Sequence, residues 1–273
     1  MHPVLLRIEG APISAYGVLA AAGYTAGILW LMKKIPEMRL TALQFWSLIY
    51  AVFLGVLIGG KLGFFIVEWR EFEAEPWAML ANWRNGWVFW FGFAGGMLAA
   101  GIFFKIYNRL YRPRRWLPLA DYFGAAIPLG HWIGRLGCFA QGCCHGRPTR
   151  MPWGVVFRDP ASSVRPEFLG LALHPTQLYE AAGELGISLF LIFYVLPNIR
   201  RKRFSQGTAF LGYIILYSMF RFAIEFFRGD DRGVFLWQFL SPSQWACLAG
   251  LVMAGILLWR QGILARDAFI KAR

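Results

Sequence analysis

Seven apolar stretches, each near the roughly 20 residues that a helix needs to cross the hydrocarbon core of a bilayer, alternate with short polar segments along this chain. They run over about 13–32, 45–67, 88–107, 117–139, 177–196, 207–227 and 244–259. One soluble core of 273 residues has no use for so much apolar material, since 58% of the residues are hydrophobic and 18% aromatic. The chain is therefore expected to fold as an all-α membrane protein: a single integral membrane domain over 1–273 with about seven transmembrane helices.

The net charge of +13 would point to nucleic acid in a soluble protein. Here the cations cluster between apolar runs, the distribution that marks cytoplasmic loops, so nucleic acid is not an expected partner. Lys33, Lys34 and Arg39 follow the first run, and Arg109, Arg112, Arg114 and Arg115 the third. Arg200, Arg201, Lys202 and Arg203 follow the fifth; Arg260, Arg266, Lys271 and Arg273 close the chain. The even-numbered loops hold isolated cations, and 68–84 carries Glu68, Glu71, Glu73 and Glu75. This asymmetry places the N-terminus outside and the C-terminus in the cytoplasm. Segment 146–173, too polar and proline-rich to span, becomes an outer arm between helices four and five. The start, MHPVLLRIEGAPIS, lacks a basic n-region and a small-residue cleavage site, and reads as a retained, ordered end. No internal repeat is visible.

Within this frame one stretch, DYFGAAIPLGHWIGRLGCFAQGCCHGRPTRMPWGVVF, stands apart. It places Arg135 inside an apolar run, and an arginine at membrane depth marks a site by default because it is costly there. Arg221, Glu225 and Arg228 lie near the end of the sixth run, on the same outer side, so their guanidiniums can converge with that of Arg135. A guanidinium offers a rigid donor fork to phosphate and stays charged at any relevant pH, and the anion at that depth is a lipid phosphate. The competing reading is structural: Arg221 pairs with Glu225 one turn on, and Arg135 with a carboxylate such as Glu180. Both remain open. His174, opening the polar turn HPTQLYE, and Tyr16, on an otherwise apolar helix, are candidates for proton transfer and headgroup contact. His131 and His145 read as structural.

Cys138, Cys143 and Cys144 crowd one turn. Their C-x4-C-C spacing lacks the paired C-x2-C of structural zinc sites and no second ligand pair follows, so no metal and no cofactor is expected. A disulfide on an oxidising outer face and simple close packing are the other readings.

Taken together, these motifs resemble the prolipoprotein diacylglyceryl transferase family over nearly the whole chain. The resemblance is carried by the MHPV start with Tyr16-Gly17, the GGKLGFF segment, Gly95-Gly96, IPLG-x3-GRLG, GRPT-x2-PWGVVF, HPTQLYE and RFAIEFFRGDD. It implies an enzyme of the bacterial inner membrane. The thiol of a lipobox cysteine on a prolipoprotein signal peptide attacks the glycerol carbon of phosphatidylglycerol, a membrane lipid, and displaces glycerol phosphate. By the same resemblance Arg135 is the signature arginine that holds the headgroup, and Arg221 is the second arginine, at the reaction centre. Gly142 and Gly146 are signature glycines and Tyr16 the helix-one tyrosine. Arg228, Glu180, Glu225, Cys138 and Cys143 complete the expected binding set. Fixed positive charge is what a departing phosphate needs.

The chain departs from the family pattern in two places. Trp90-Phe91-Gly92 stands where many members carry His-Gly-Gly or Tyr-Gly-Gly, and Cys138 and Cys143 stand where Asn and Glu are common. Thiol activation then falls to His145, to His174, to a cysteine of lowered pKa, or to no dedicated side chain. A related transferase with a different acceptor, and a lipid-binding or transport protein without covalent chemistry, are the alternative functions.

Overall fold

The computed structural model describes residues 3–8, 11–81, 86–111, 116–230 and 239–271. Arg84, Arg112, Arg114, Arg115 and Arg273, and the Asp231 that ends RFAIEFFRGDD, lie outside the described residues, as do the side chains of Trp90, Arg266 and Lys271. The chain forms two compact units, one of Met1–Lys33 with Leu117–Arg273 and one of Lys34–Trp116.

The first unit opens with an antiparallel hairpin, β1 (Val4–Ile8) and β2 (Ala11–Ser14), leading into α1 (Ala15–Lys33). The second unit holds α2 (Ile35–Met38), α3 (Ala42–Val67), the short α4 (Trp69–Ala74) and α5 (Pro76–Ala81), and α6 (Phe89–Leu110). A capping box starts α3, with Thr41 Oγ1 accepting from Gln44 N and Gln44 Oε1 from Thr41 N. Helices α3 and α6 pack through glycines: a Cβ on Gly95 would lie 3.0 Å from Gly59 Cα and would also strike the Gly55 carbonyl. That contact leaves no room for side chains, as expected where membrane helices associate by close backbone approach. Lys61 on α3 is buried, with Nζ 5.1 Å from the Phe64 ring centre and 5.7 Å from that of Trp87.

Back in the first unit come α7 (Leu117–Gln141), the antiparallel pair β3 (Val155–Val156) and β4 (Ala172–Leu173), and α8 (Thr176–Phe190). A π-turn over Leu191–Val195 joins α8 to α9 (Leu196–Arg200), and α10 (Thr208–Glu225) and α11 (Pro242–Lys271) follow. Helix α7 is central: α1, α8 and α10 all pack on it, and α11 packs on α10. The α1–α7 crossing is again glycine on glycine, since a Cβ on Gly130 would lie 2.6 Å from the Gly23 carbonyl.

Buried Asp121, near the start of α7, accepts hydrogen bonds from the backbone N–H groups of Gly207 (2.7 Å), Ala209 (2.8 Å) and Phe210 (3.1 Å). These are the orphan donors at the N-terminus of α10, and a carboxylate there both satisfies them and meets the positive end of the helix dipole. Asp121 thereby sets α10 against α7, and so sets where their far ends meet.

Among the described residues, five helical stretches are long and apolar enough to cross a membrane: Ala15–Lys33, Ala42–Val67, Thr176–Arg200, Thr208–Glu225 and Pro242–Arg260. Large apolar side chains stand exposed on them, among them Leu43 at 77% and Phe193 at 73%. Such faces suit hydrocarbon rather than water. Each expected apolar run falls on helix, the fifth divided among α8, the π-turn and α9, and the last running on in α11 to Lys271. Segment 146–173 is not spanning: it builds β3, β4 and a 3-10 turn at Pro166–Phe168. Its own small core joins buried Phe157, Val164 and Leu173, with Phe139 of α7 packed against them.

Candidate active site

Helices α7 and α8 run antiparallel, and each presents a polar pair four residues apart, which is one helical turn and one face. On α7 the pair is His131 and Arg135; on α8 it is Glu180 and Glu184. The two pairs match rung by rung. Arg135 Nη2 lies 2.6 Å from Glu180 Oε2, and His131 Nδ1 lies 2.5 Å from Glu184 Oε1.

Glu180 is the hub. It is 1% exposed and contacts two further guanidiniums: Arg228 Nη1 is 3.0 Å from Oε1, and Arg221 Nε is 3.9 Å from Oε2. Three arginines, from α7, from α10 and from the turn after α10, thus meet at one carboxylate. Arg221 also pairs with Glu225 one turn on and donates to Ser243 Oγ at 3.2 Å, at the start of α11. Arg228 makes a two-pronged contact with Asp230, at 2.7 Å on each oxygen. The three cations therefore face three carboxylates. The pairings Arg135–Glu180 and Arg221–Glu225, which the sequence offered as the structural reading, are both present, and the convergence that it offered as the functional reading is present as well. Arg135 retains a spare donor, because its buried Nε has no hydrogen-bond partner among the described residues.

The arm holds Arg228 in place by backbone pairing. Residues 145–149 form a central strip between 172–174 and 227–229. Gly146 N donates to His174 O (3.0 Å), Arg147 N to Phe227 O (2.9 Å), Gly229 N to His145 O (3.0 Å) and Thr149 N to Ala172 O (2.8 Å). Arg147 Nε adds a bond to the Arg228 carbonyl at 2.9 Å. The strip explains Gly146, where a Cβ would lie 2.9 Å from the Phe227 carbonyl and closer still to that of His174. Gly142 is explained by its φ of +80°, which only glycine adopts at no steric cost.

The cysteine turn lies directly on this frame. Thr176 Oγ1 donates to the Cys144 carbonyl (2.7 Å) and Gln177 Nε2 to that of Cys143 (2.9 Å), both from the buried first turn of α8. Cys144 is held at φ +62°, a left-handed conformation that a non-glycine residue adopts only when its surroundings impose it. The sulfurs of Cys138, Cys143 and Cys144 all lie within 4.8 Å of one another, and the thiols are free. Contacts with Cys138 and Cys143, then the charges of Arg228 and Arg135, push the Cys144 thiol below its ordinary range. The C-x4-C-C spacing gives no sign of this clustering, because the three meet through a turn rather than through a ligand pair.

His174 sits at the rim of the hub: its Nδ1 is 3.2 Å from Tyr179 Oη, its ring meets Phe227 edge-on, and its carbonyl is what reaches Gly146. His145 is buried, with Nδ1 3.1 Å from the Gly146 carbonyl and its ring edge-on to Phe168. Tyr16 is 45% exposed near the start of α1, and its backbone rests on Gly137, one residue before Cys138. The sequence reading missed four members of the arrangement: Glu184, which pairs with the structural His131, and Asp230, Ser243 and the anchoring Asp121. Only the first left a usable sign, the matched four-residue spacings of His131/Arg135 and Glu180/Glu184.

A family model described as prolipoprotein diacylglyceryl transferase matches residues 3–260. Over 264 residues the chain is 32% identical to the phosphatidylglycerol–prolipoprotein diacylglyceryl transferase of Coxiella burnetii (strain RSA 331 / Henzerling II), covering 95% of each chain. It is 31% identical over 255 residues to the protein of that name from Clostridium tetani, covering 93% of this chain and 95% of the relative. A third, from Cupriavidus metallidurans, is 31% identical over 265 residues, with 94% and 92% covered. A match of this extent, on a multi-pass helical membrane protein, makes the chain a member of the prolipoprotein diacylglyceryl transferase family.

Proposed function

We propose that the protein transfers the diacylglyceryl group of phosphatidylglycerol to the thiol of a lipobox cysteine in prolipoproteins and releases glycerol phosphate. The observation that carries this reading is the meeting of Arg135, Arg221 and Arg228 at Glu180. Attack by sulfur on the glycerol carbon breaks a carbon–oxygen bond and leaves a phosphate with one more negative charge to stabilise. Preorganised guanidiniums in a water-poor setting are suited to that charge, and they need no reorganisation when it appears. The carboxylates keep them folded into place until a phosphate competes for the same donor forks.

Within this reading Arg135 binds the headgroup phosphate, with its spare Nε as the added donor, and Arg221 faces the departing oxygen. Arg228, Glu180 and Glu225 position those two. Gly142 and Gly146 admit the turn and the strip on which the lipid headgroup rests, with Cys138 and Cys143 beside it. Tyr16 contacts the headgroup from α1, and His174 orients the rim through Tyr179.

We assign the protein to the bacterial inner membrane with seven crossings, the N-terminus and the 146–173 arm in the periplasm and the C-terminus in the cytoplasm. The lengths of α6 and α7, 22 and 25 residues, and the basic clusters after alternate helices support this orientation.

The test is transfer of acyl-labelled diacylglycerol from phosphatidylglycerol vesicles to a lipobox peptide by the purified protein. The reading expects label on the peptide's cysteine as a thioether, and none on a Cys→Ser peptide. Intact phosphatidylglycerol after incubation, with another family member active in parallel, overturns it.

A further inference from the structure

The family chemistry asks for an acceptor thiolate, and the hub supplies cations for the leaving phosphate but leaves the origin of that thiolate unexplained. Beside the hub lies a group of side chains that the phosphate reading does not use: the three thiols at the end of α7. We propose that Cys138, Cys143 and Cys144 form a three-thiolate site for a thiophilic divalent ion of the zinc class, whose remaining coordination position takes the acceptor thiol. The second half of this proposal rests on the transferase reading; the metal site itself does not.

The argument starts from distance. Zinc–sulfur bonds are about 2.3 Å, so three thiolates around one ion stand roughly 3.8–4.0 Å apart, from tetrahedral to trigonal geometry. The three sulfurs here already lie within 4.8 Å of one another. Filling the site asks for a contraction of less than about 1 Å, within the reach of a χ1 adjustment. Preorganisation is the second point. The turn is clamped from α8 by Thr176 and Gln177 through the Cys144 and Cys143 carbonyls, and Cys144 is held in a left-handed backbone conformation. Simple close packing does not require that strain.

Charge is the third point. Three thiolates and one divalent ion carry a net charge of −1. Arg135 and Arg228 meet at Glu180, one turn along α8 from the Thr176 that holds the Cys144 carbonyl, so two guanidiniums are placed to offset the residual charge. Accessibility is the fourth. Cys138 is buried while Cys143 and Cys144 are half-buried, which suits a site closed on the protein side with one position open. Three protein ligands and one open position is the arrangement of catalytic rather than structural zinc.

The step this site would serve balances without any change of oxidation state. The acceptor thiol loses its proton to solvent as its sulfur joins the ion. That sulfur then forms a bond to the glycerol carbon of the lipid. The carbon–oxygen bond breaks, its electron pair stays on the phosphate oxygen, and glycerol phosphate leaves with its charge held by the arginines. The thiol is thereby deprotonated beside the hub without a carboxylate at position 138 or 143.

The test uses the full chain, purified with a chelator and then titrated with Zn²⁺ or Co²⁺. The expected result is one ion per chain, protection of three thiols from alkylation, and a thiolate-to-cobalt charge-transfer band in the near ultraviolet. Cys143→Ser and Cys144→Ser should each weaken binding at least tenfold while thermal unfolding in detergent stays close to that of the parent. Adding a lipobox peptide should shift the cobalt spectrum, and a Cys→Ser peptide should not. Absence of stoichiometric metal, or recovery of a disulfide among the three cysteines in protein purified under reducing conditions, overturns the site. Bound cobalt whose spectrum ignores the peptide thiol overturns its role toward the acceptor. Full transfer activity in metal-free protein overturns the ion's role toward the acceptor and leaves the transferase reading intact, whereas a loaded site without transfer keeps the metal site and overturns the transferase reading together with the role that rests on it.

Discussion

Replacing Glu180 with glutamine keeps the volume and one acceptor oxygen at the hub but removes the charge that three guanidiniums share. At an effective dielectric constant near 20, Coulomb's law gives roughly 6.4, 5.5 and 4.3 kcal/mol of attraction for the contacts at 2.6, 3.0 and 3.9 Å. Desolvation of the four groups offsets most of this, and removing one partner of a buried ion pair is expected to cost about 3–5 kcal/mol. Arg221 and Arg228 fall back on Glu225 and Asp230, whereas Arg135 is left facing an amide. For a chain of this size that cost lowers the unfolding midpoint by about 6–20 °C. The assay is thermal unfolding of the purified protein in detergent, followed by tryptophan fluorescence. Glu225→Gln serves as the comparison, because it removes one partner of Arg221 and leaves Glu180 and Ser243 in place. Glu180→Gln should be clearly the more damaging. A midpoint within a degree or two of the parent, or a larger loss for Glu225→Gln, would refute the idea of a single shared carboxylate.

Three further outcomes follow from the frame around the hub. Asp121→Ala strands three N–H donors at the start of α10, so it should lower stability by about 2 kcal/mol or more, seen as a reduced denaturation midpoint. Gly146→Ala drives a methyl group into the carbonyls of His174 and Phe227; it should cost about 1–3 kcal/mol and lower transfer activity further than a comparably destabilising change elsewhere, since the same strip carries Arg228. Gly23→Ala meets the Gly130 carbonyl and should destabilise by a similar amount, whereas Gly186→Ala, with open space around it, should be neutral or stabilise by up to about 1 kcal/mol.

The helices were legible because a membrane-spanning segment advertises itself by length and apolarity, two properties that survive without knowledge of the neighbours. The hairpin Val4–Ser14 and the short helices α4 and α5 carry neither signal; they are too brief for periodicity to separate them from loop. At the hub, Arg135, Arg221 and Glu225 stood out as charges in apolar surroundings, and the Arg221–Glu225 spacing offered their pairing as one of two open readings, with Glu180 as an example of a carboxylate for Arg135. Their common meeting point depended on the packing of α8 and α10 against α7, which one sequence does not state. Asp230 and Ser243 were hidden for the same reason, being ordinary polar residues in turns until the fold places them against Arg228 and Arg221. The cysteines were visible, but their spacing argued against a site because spacing rules assume ligands paired along the chain. A left-handed residue at Cys144 folds the turn back on itself instead.

The most direct test of the account is the rate of diacylglyceryl transfer by Arg135→Lys. Lysine keeps the charge that Glu180 requires, so the fold should hold, with an unfolding midpoint close to that of the parent. It lacks the planar donor fork that phosphate binding uses. The account predicts that kcat/KM for phosphatidylglycerol falls about 100-fold or more in this correctly folded variant. A folded Arg135→Lys protein that transfers at the parental rate would contradict it.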